Sequence, residues 1–113
     1  MGKITHYRNV VRQALRPFGS VHYAGSPSLQ NQVVFDDENG HYLVLTVGWE
    51  GETPVRDCVF HIDITGGKVW IQEDNTDSDI ASTLLEAGIP KSDIVLAFHA
   101  PYRRKLIEEY AAA

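Results

Sequence analysis

The stretch "FHIDITGGKVWIQED", residues 60–74, constrains this chain more than any other. Strict alternation runs up to Gly66-Gly67 and resumes after it. A two-residue glycine turn between alternating arms is the signature of a tight β-hairpin. Because successive strand residues point to opposite sides, the hairpin must have two unlike faces. One carries Phe60, Ile62, Ile64, Val69 and Ile71, and the other carries His61, Asp63, Trp70, Gln72 and Asp74. The first face needs a core. Counting from the turn sets Asp63 opposite Trp70 and His61 opposite Gln72.

The flanking sequence supplies the rest of a sheet and two helices. Residues 3–16 place Ile4, Tyr7, Val10, Val11, Ala14 and Leu15 on one helical face, ended by Pro17. Residues 19–28, rich in Gly, Ser and Pro, read as loop. Strands are expected over 29–36, 41–49, 55–64 and 68–74, with a turn at Asn39-Gly40. The apolar run 41–49 reads as a central strand covered on both sides. A second helix is expected from near Asp77, with Thr76 and Asp79 as a capping box, Ile80, Ala81, Leu84 and Leu85 as its buried stripe, and Gly88 as its stop. "IVLAF", residues 94–98, reads as a short buried strand.

The expectation is an α+β fold in a single domain over 1–113. It is an antiparallel β-meander of four or five strands with an N-terminal helix, a second helix after strand four, and both helices mainly on one face. The expected core is Val44 or Leu45, Val47, Phe60, Ile62, Ile64, Val69, Ile71, Leu84, Leu85 and Val95. The 113 residues suffice for one such core.

Charge and cysteine usage exclude several classes. A net charge of −5 argues against broad binding to a phosphate backbone. A single cysteine, Cys58, excludes an internal disulfide framework and fits a reducing compartment. Cys58 reads as a small core residue beside Phe60 and Ile62, since a nucleophilic thiol needs exposure and a cationic neighbour. No apolar run reaches membrane-spanning length, and the first residues show no secretory or myristoylation pattern. A cytoplasmic protein is expected.

The candidate chemistry is sparse. His61, Asp63 and Asp74 share a face and suit either a metal or an acid–base pair, with His99 as a further candidate, but the pattern offers no standard third or fourth ligand. No metal site, no cofactor and no catalytic residue are expected. The acidic run 73–79 lacks the glycine and closing glutamate of a calcium loop. "TGGK" is not a phosphate loop. "YRRK", residues 102–105, is the one basic cluster, in a tail whose charges oppose the helix dipole. That tail is expected to be ordered only where it docks. Trp49, Trp70, Tyr102 and Tyr110 are amphipathic aromatics suited to half-buried or interface positions. The candidate interaction surface is therefore His61, Asp63, Trp70, Gln72, Asp74, His99, Tyr102, Arg103 and Arg104.

"THYRNVV", "LTVGWEG", "HIDITGGKVWIQEDNTDSDIA" and "LLEAGIPKSDIVLAFHAPYRRK" together resemble the XisI family, the fdxN element excision controlling factors of cyanobacteria. The chain departs from the family pattern at "VRDC", where relatives often carry His-Gly just before, and at its C-terminus, "LIEEYAAA". The resemblance implies a setting: a recombinase excises a DNA element from a nitrogen-fixation operon during heterocyst differentiation, and XisI and XisH are required as controlling factors. It implies a non-enzymatic accessory role through contact with a nuclease-like XisH-type partner and supplies no catalytic residues to carry over. A homodimer is also expected. Direct DNA binding through Tyr102–Lys105 and a small hydrolase or metal-dependent enzyme are the alternatives.

Overall fold

The computed structural model describes residues 2–21, 23, 25, 27–76, 78–100, 110 and 111. Helix α1 (Lys3–Leu15) buries Tyr7, Val10, Val11 and Leu15, the face set by its three- and four-residue spacing. It tightens into a 3-10 turn, Arg16–Ser20, where Pro17 denies an amide to the α-helical ladder. Strands β1 (Gln30–Asp36), β2 (His41–Glu50), β3 (Thr53–Thr65) and β4 (Lys68–Asp74) form the antiparallel meander. Helix α2 (Ile80–Glu86) and a 3-10 turn, Lys91–Asp93, lead to β5 (Ile94–Leu96).

The sheet order is β1-β2-β3-β4-β5, and β5 runs parallel to β4. The α+β class holds, but the sheet is mixed rather than purely antiparallel. The reason is geometric: α2 carries the chain back across the sheet, so the next strand starts from the same end as β4, as a crossover connection requires.

Both helices pack on one face. Tyr7, Val11 and Leu15 of α1 and Ile80, Ala81 and Leu84 of α2 join Tyr42, Val44, Phe60, Ile62, Ile64, Val69, Ile71, Ile94 and Leu96 in one core. Val95 is fully buried yet stands opposite Trp70, on the other side of the sheet from that core. Leu85 is only partly buried. Strand β2 is central but covered on one side. Tyr42, Val44 and Thr46 are buried, whereas Leu43, Leu45 and Val47 alternate outward and remain half-exposed. Val47 is thus not core, and the buried member of the Val44/Leu45 pair is Val44.

Two β-bulges, one in β3 and one in β4, reset the alternation. Leu45 pairs with Cys58 but Val44 pairs with Phe60, so the extra residue is Val59. The bulge is held from the next loop, where Asn75 donates its amide N–H to the Val59 carbonyl at 2.9 Å and its side-chain amide to the Cys58 carbonyl at 2.8 Å. Cys58 therefore shares the outward face of Leu45 rather than the face of Phe60. On the other edge, Ile62 pairs with Ile71 and His61 with Glu73, which leaves Gln72 as the extra residue in β4.

The start of α2 differs from expectation. Its N-cap is Asp79, whose carboxylate accepts the Ser82 amide at 3.2 Å, and the helix begins at Ile80. Thr76 instead accepts the Ser78 amide, and Asp77 lies outside the described residues. Gly88 ends the helix with φ +103°, as the left-handed stop requires.

The hydroxyl of Tyr7 donates to the Asp93 carboxylate, tying α1 to the turn before β5, and Lys3 pairs with the same carboxylate at 3.0 Å. Burial first, then Asp93, pushes the Tyr7 hydroxyl from 10.0 up to about 12. The Tyr7 hydrogen bond chiefly holds the Asp93 carboxyl below its usual range. A phenol with a raised pKa stabilises the fold while protonated. Its contribution is complete below pH 10 and is lost as pH rises through about 12. Tyr7→Phe is accordingly expected to be less stable than wild type at neutral pH, with the gap closing across that alkaline window. Urea midpoints measured along a pH series check this, and a gap that ignores pH would refute the assignment.

Candidate functional site

The outward face of the sheet carries no described helix. It presents Val34 of β1, Leu43, Leu45 and Val47 of β2, and Trp70 of β4. Val34 and Trp49 are 43% and 55% exposed, high for large apolar side chains. An open groove of about 700 Å³, lined in part by Gln32, Leu45, Val47, Trp49, Arg56 and Cys58, runs along this face.

Polar residues gather at its other end. Asp63 lies between two imidazoles: its Oδ1 is 2.7 Å from His41 Nδ1 and 3.0 Å from His61 Nε2. Gln72 Nε2 donates to the second oxygen, Oδ2, at 3.3 Å. His41 is opposite Asp63 because the Val59 bulge moves β2 by one residue relative to β3. Without that extra residue, the two-residue turn after Glu50 would set His41 against Ile62. The hydrogen bond that His41 donates to Asp63 raises the His41 pKa above the usual imidazole value. His41 was not among the sequence candidates. The Asn39-Gly40 turn marks it as the first residue of a strand, but nothing in the sequence reveals the bulge.

Of the sequence candidates, His61, Asp63, Trp70 and Gln72 share the outward face. Trp70 stands opposite Asp63, as counted from the glycine turn, and its indole N–H reaches the Thr65 carbonyl at 3.3 Å. His61 pairs with Glu73, not Gln72. Asp74 leaves the face altogether. It pairs with Phe60, its Oδ1 accepts the amide and hydroxyl of Thr76 at 3.1 and 2.7 Å, and its Oδ2 accepts the Ile80 amide at 3.2 Å. It organises the approach to α2.

His99 follows β5, donates its amide to the Leu96 carbonyl, and sets its ring 4.6 Å from that of Phe98. It is not in the donor cluster around Asp63. Tyr102, Arg103 and Arg104 lie outside the described residues. Near the tail's end, Ala111 donates its amide to the Ile94 carbonyl at 2.9 Å, and Tyr110 packs against the core. Cys58 is half-buried, and burial, followed by Glu73, pushes its thiol up to about 11, which suppresses the thiolate a nucleophile needs.

Comparison with known proteins gives a consistent picture. The family model described as XisI protein matches residues 1–112. A crystal structure of a XisI-like protein from Anabaena variabilis is 34% identical, covers 97% of this chain and 99% of its own, and superposes with a TM-score of 0.88. The crystal structure of fdxN element excision controlling factor XisI from Anabaena variabilis is also 34% identical, covers 99% and 100% of the two chains, and gives a TM-score of 0.85. A search of curated proteins finds no match. No helix among the described residues is long and apolar enough to cross a membrane.

Proposed function

The chain belongs to the XisI family, and from that premise we propose that it is a non-enzymatic controlling factor in programmed excision of a DNA element, working by protein contact. Its partner on this reading is an XisH-type protein, docked on the outward face of the sheet. The observation that carries the reading is the exposure of that face: both helices lie on the opposite side, while Leu43, Leu45, Val47 and Trp70 stay half-exposed. Apolar side chains bordered at one end by hydrogen-bonding groups such as His61, Asp63 and Gln72 match the mixture of an apolar interface core and a polar margin. The net charge of −5 disfavours DNA itself as the ligand.

Co-expression with an XisH-type protein, followed by sedimentation of the purified mixture, tests the proposal. A complex is expected. Trp70→Ala is expected to weaken it by about 2 kcal/mol or more, as removal of a central aromatic anchor does. Leu45→Asp, which sets a charge in the apolar strip, is expected to abolish it. A folded chain that sediments alone beside the XisH-type protein would reject the partner. Sedimentation of the chain by itself reports whether the same face pairs two copies.

A further inference from the structure

We infer that His41, His61 and Asp63 form a binding site for one divalent ion of the zinc class. Lack of a third and fourth ligand was the ground for expecting no metal, and the Val59 bulge supplies a third by bringing His41 to Asp63. The three donor atoms, His41 Nδ1, His61 Nε2 and an Asp63 carboxylate oxygen, all lie within 4.8 Å of one another. Two bonds of roughly 2.0–2.1 Å at a tetrahedral angle separate their ligand atoms by about 3.4 Å. The two nitrogens stand 2.7 and 3.0 Å from Asp63 Oδ1, so each nitrogen–oxygen pair has only to part slightly to reach that spacing.

The donor chemistry selects the ion. Two imidazole nitrogens and one carboxylate suit zinc, whereas calcium and magnesium take oxygen donors. Toward the Asp63 carboxylate each inner nitrogen is a donor, so binding requires each ring to hold its proton on the nitrogen that faces away, which frees the inner lone pair for the metal. Support for the ligands is present too. Gln72 holds Asp63 Oδ2, which fixes the carboxylate plane as outer-shell partners do. His41 and Asp63 are opposed residues of β2 and β3, and His61 is two residues away on β3, so all three rise from rigid backbone. The side chains of His41, His61 and Asp63 are 52%, 35% and 18% exposed, which leaves a fourth position open to water or to a donor from a docked protein. The competing assignment is a carboxylate that merely bridges two imidazoles by hydrogen bonds.

The experiment uses tag-free, chelator-stripped full-length protein titrated with zinc by calorimetry and with cobalt by visible absorption. One ion per chain is expected, with a cobalt spectrum of low-coordinate nitrogen–oxygen type. His41→Ala, His61→Ala and Asp63→Asn should each lower affinity at least tenfold, and Gln72→Ala about tenfold, as loss of an outer-shell partner does. His6→Ala should leave it unchanged. Circular dichroism establishes that each variant is folded. As a readout on the unaltered protein, zinc should shift the nitrogen resonances of His41 and His61 and of no other histidine. Absence of saturable binding, binding that survives in folded His41→Ala, or shifts at other histidines would overturn the site.

Discussion

Phe60→Ala is expected to remove about 3–5 kcal/mol of folding stability, as large-to-small changes at buried aromatic positions do. Phe60 has no exposed surface and sits on the central strand β3. Its ring meets Phe18 edge-on, with centroids 4.7 Å apart, so it also anchors the 3-10 turn that follows α1. It directly follows the bulged Val59, where collapse around a cavity is hindered by the hydrogen bonds Asn75 makes to the bulge carbonyls. Against a total of roughly 5–15 kcal/mol, such a loss leaves a marginal fold. Urea unfolding measures it. A loss below about 1 kcal/mol would mean that the helix-facing core does not dominate stability, since only surface changes are ordinarily that mild.

Gly40→Ala is expected to cost more than the roughly 1–3 kcal/mol that a strained φ alone carries. Gly40 has φ +74°, and a Cβ there would lie 2.4 Å from the Ile64 carbonyl oxygen. That oxygen belongs to the central strand and has nowhere to move. Gly40 also accepts the Ile64 amide and donates to the Asp36 carbonyl, both at 2.8 Å, so the turn and the edge of β3 are built together. Gly51 is the natural comparison. Its φ is +62° with nothing within 4 Å of an added Cβ, so Gly51→Ala should show the strain without the collision. Thermal or urea unfolding of the two variants gives the difference. Equal losses would show that the close approach of Gly40 to β3 does not matter. Because His41 is the next residue, Gly40→Ala should also disturb the cluster around Asp63.

The parts of the fold written in local signals could be read directly. The faces of α1, the turns at Asn39-Gly40 and Gly66-Gly67, and the alternation of Phe60, Ile62 and Ile64 depend on neighbours along the chain. What could not be read depends on partners across it. The bulges at Val59 and Gln72 have no composition of their own, yet they turn Cys58 outward, take Asp74 off the polar face and set His41 beside Asp63. Leu45 and Val47 are as apolar as core residues, and only the position of the helices decides that their side of β2 is open. Three apolar residues, Ile94–Leu96, identify a buried strand but carry no mark of direction.

The direction of β5 has an entropic consequence. Each pairing within the meander closes only a short turn, the briefest being the two-residue turns Gly51-Glu52 and Gly66-Gly67. The pairing of β4 with β5 must enclose residues 75–93. Closure entropy grows with the logarithm of length, and going from a two-residue turn to this span is roughly three doublings, or about 2 kcal/mol. Three residues of ladder return little of that by themselves. The balance comes from Ile80, Ala81 and Leu84, which lie inside the enclosed segment and bury themselves in the same core as Ile94 and Leu96. Helix α2 is therefore what makes the fifth strand affordable, and the two stand or fall as one cooperative unit.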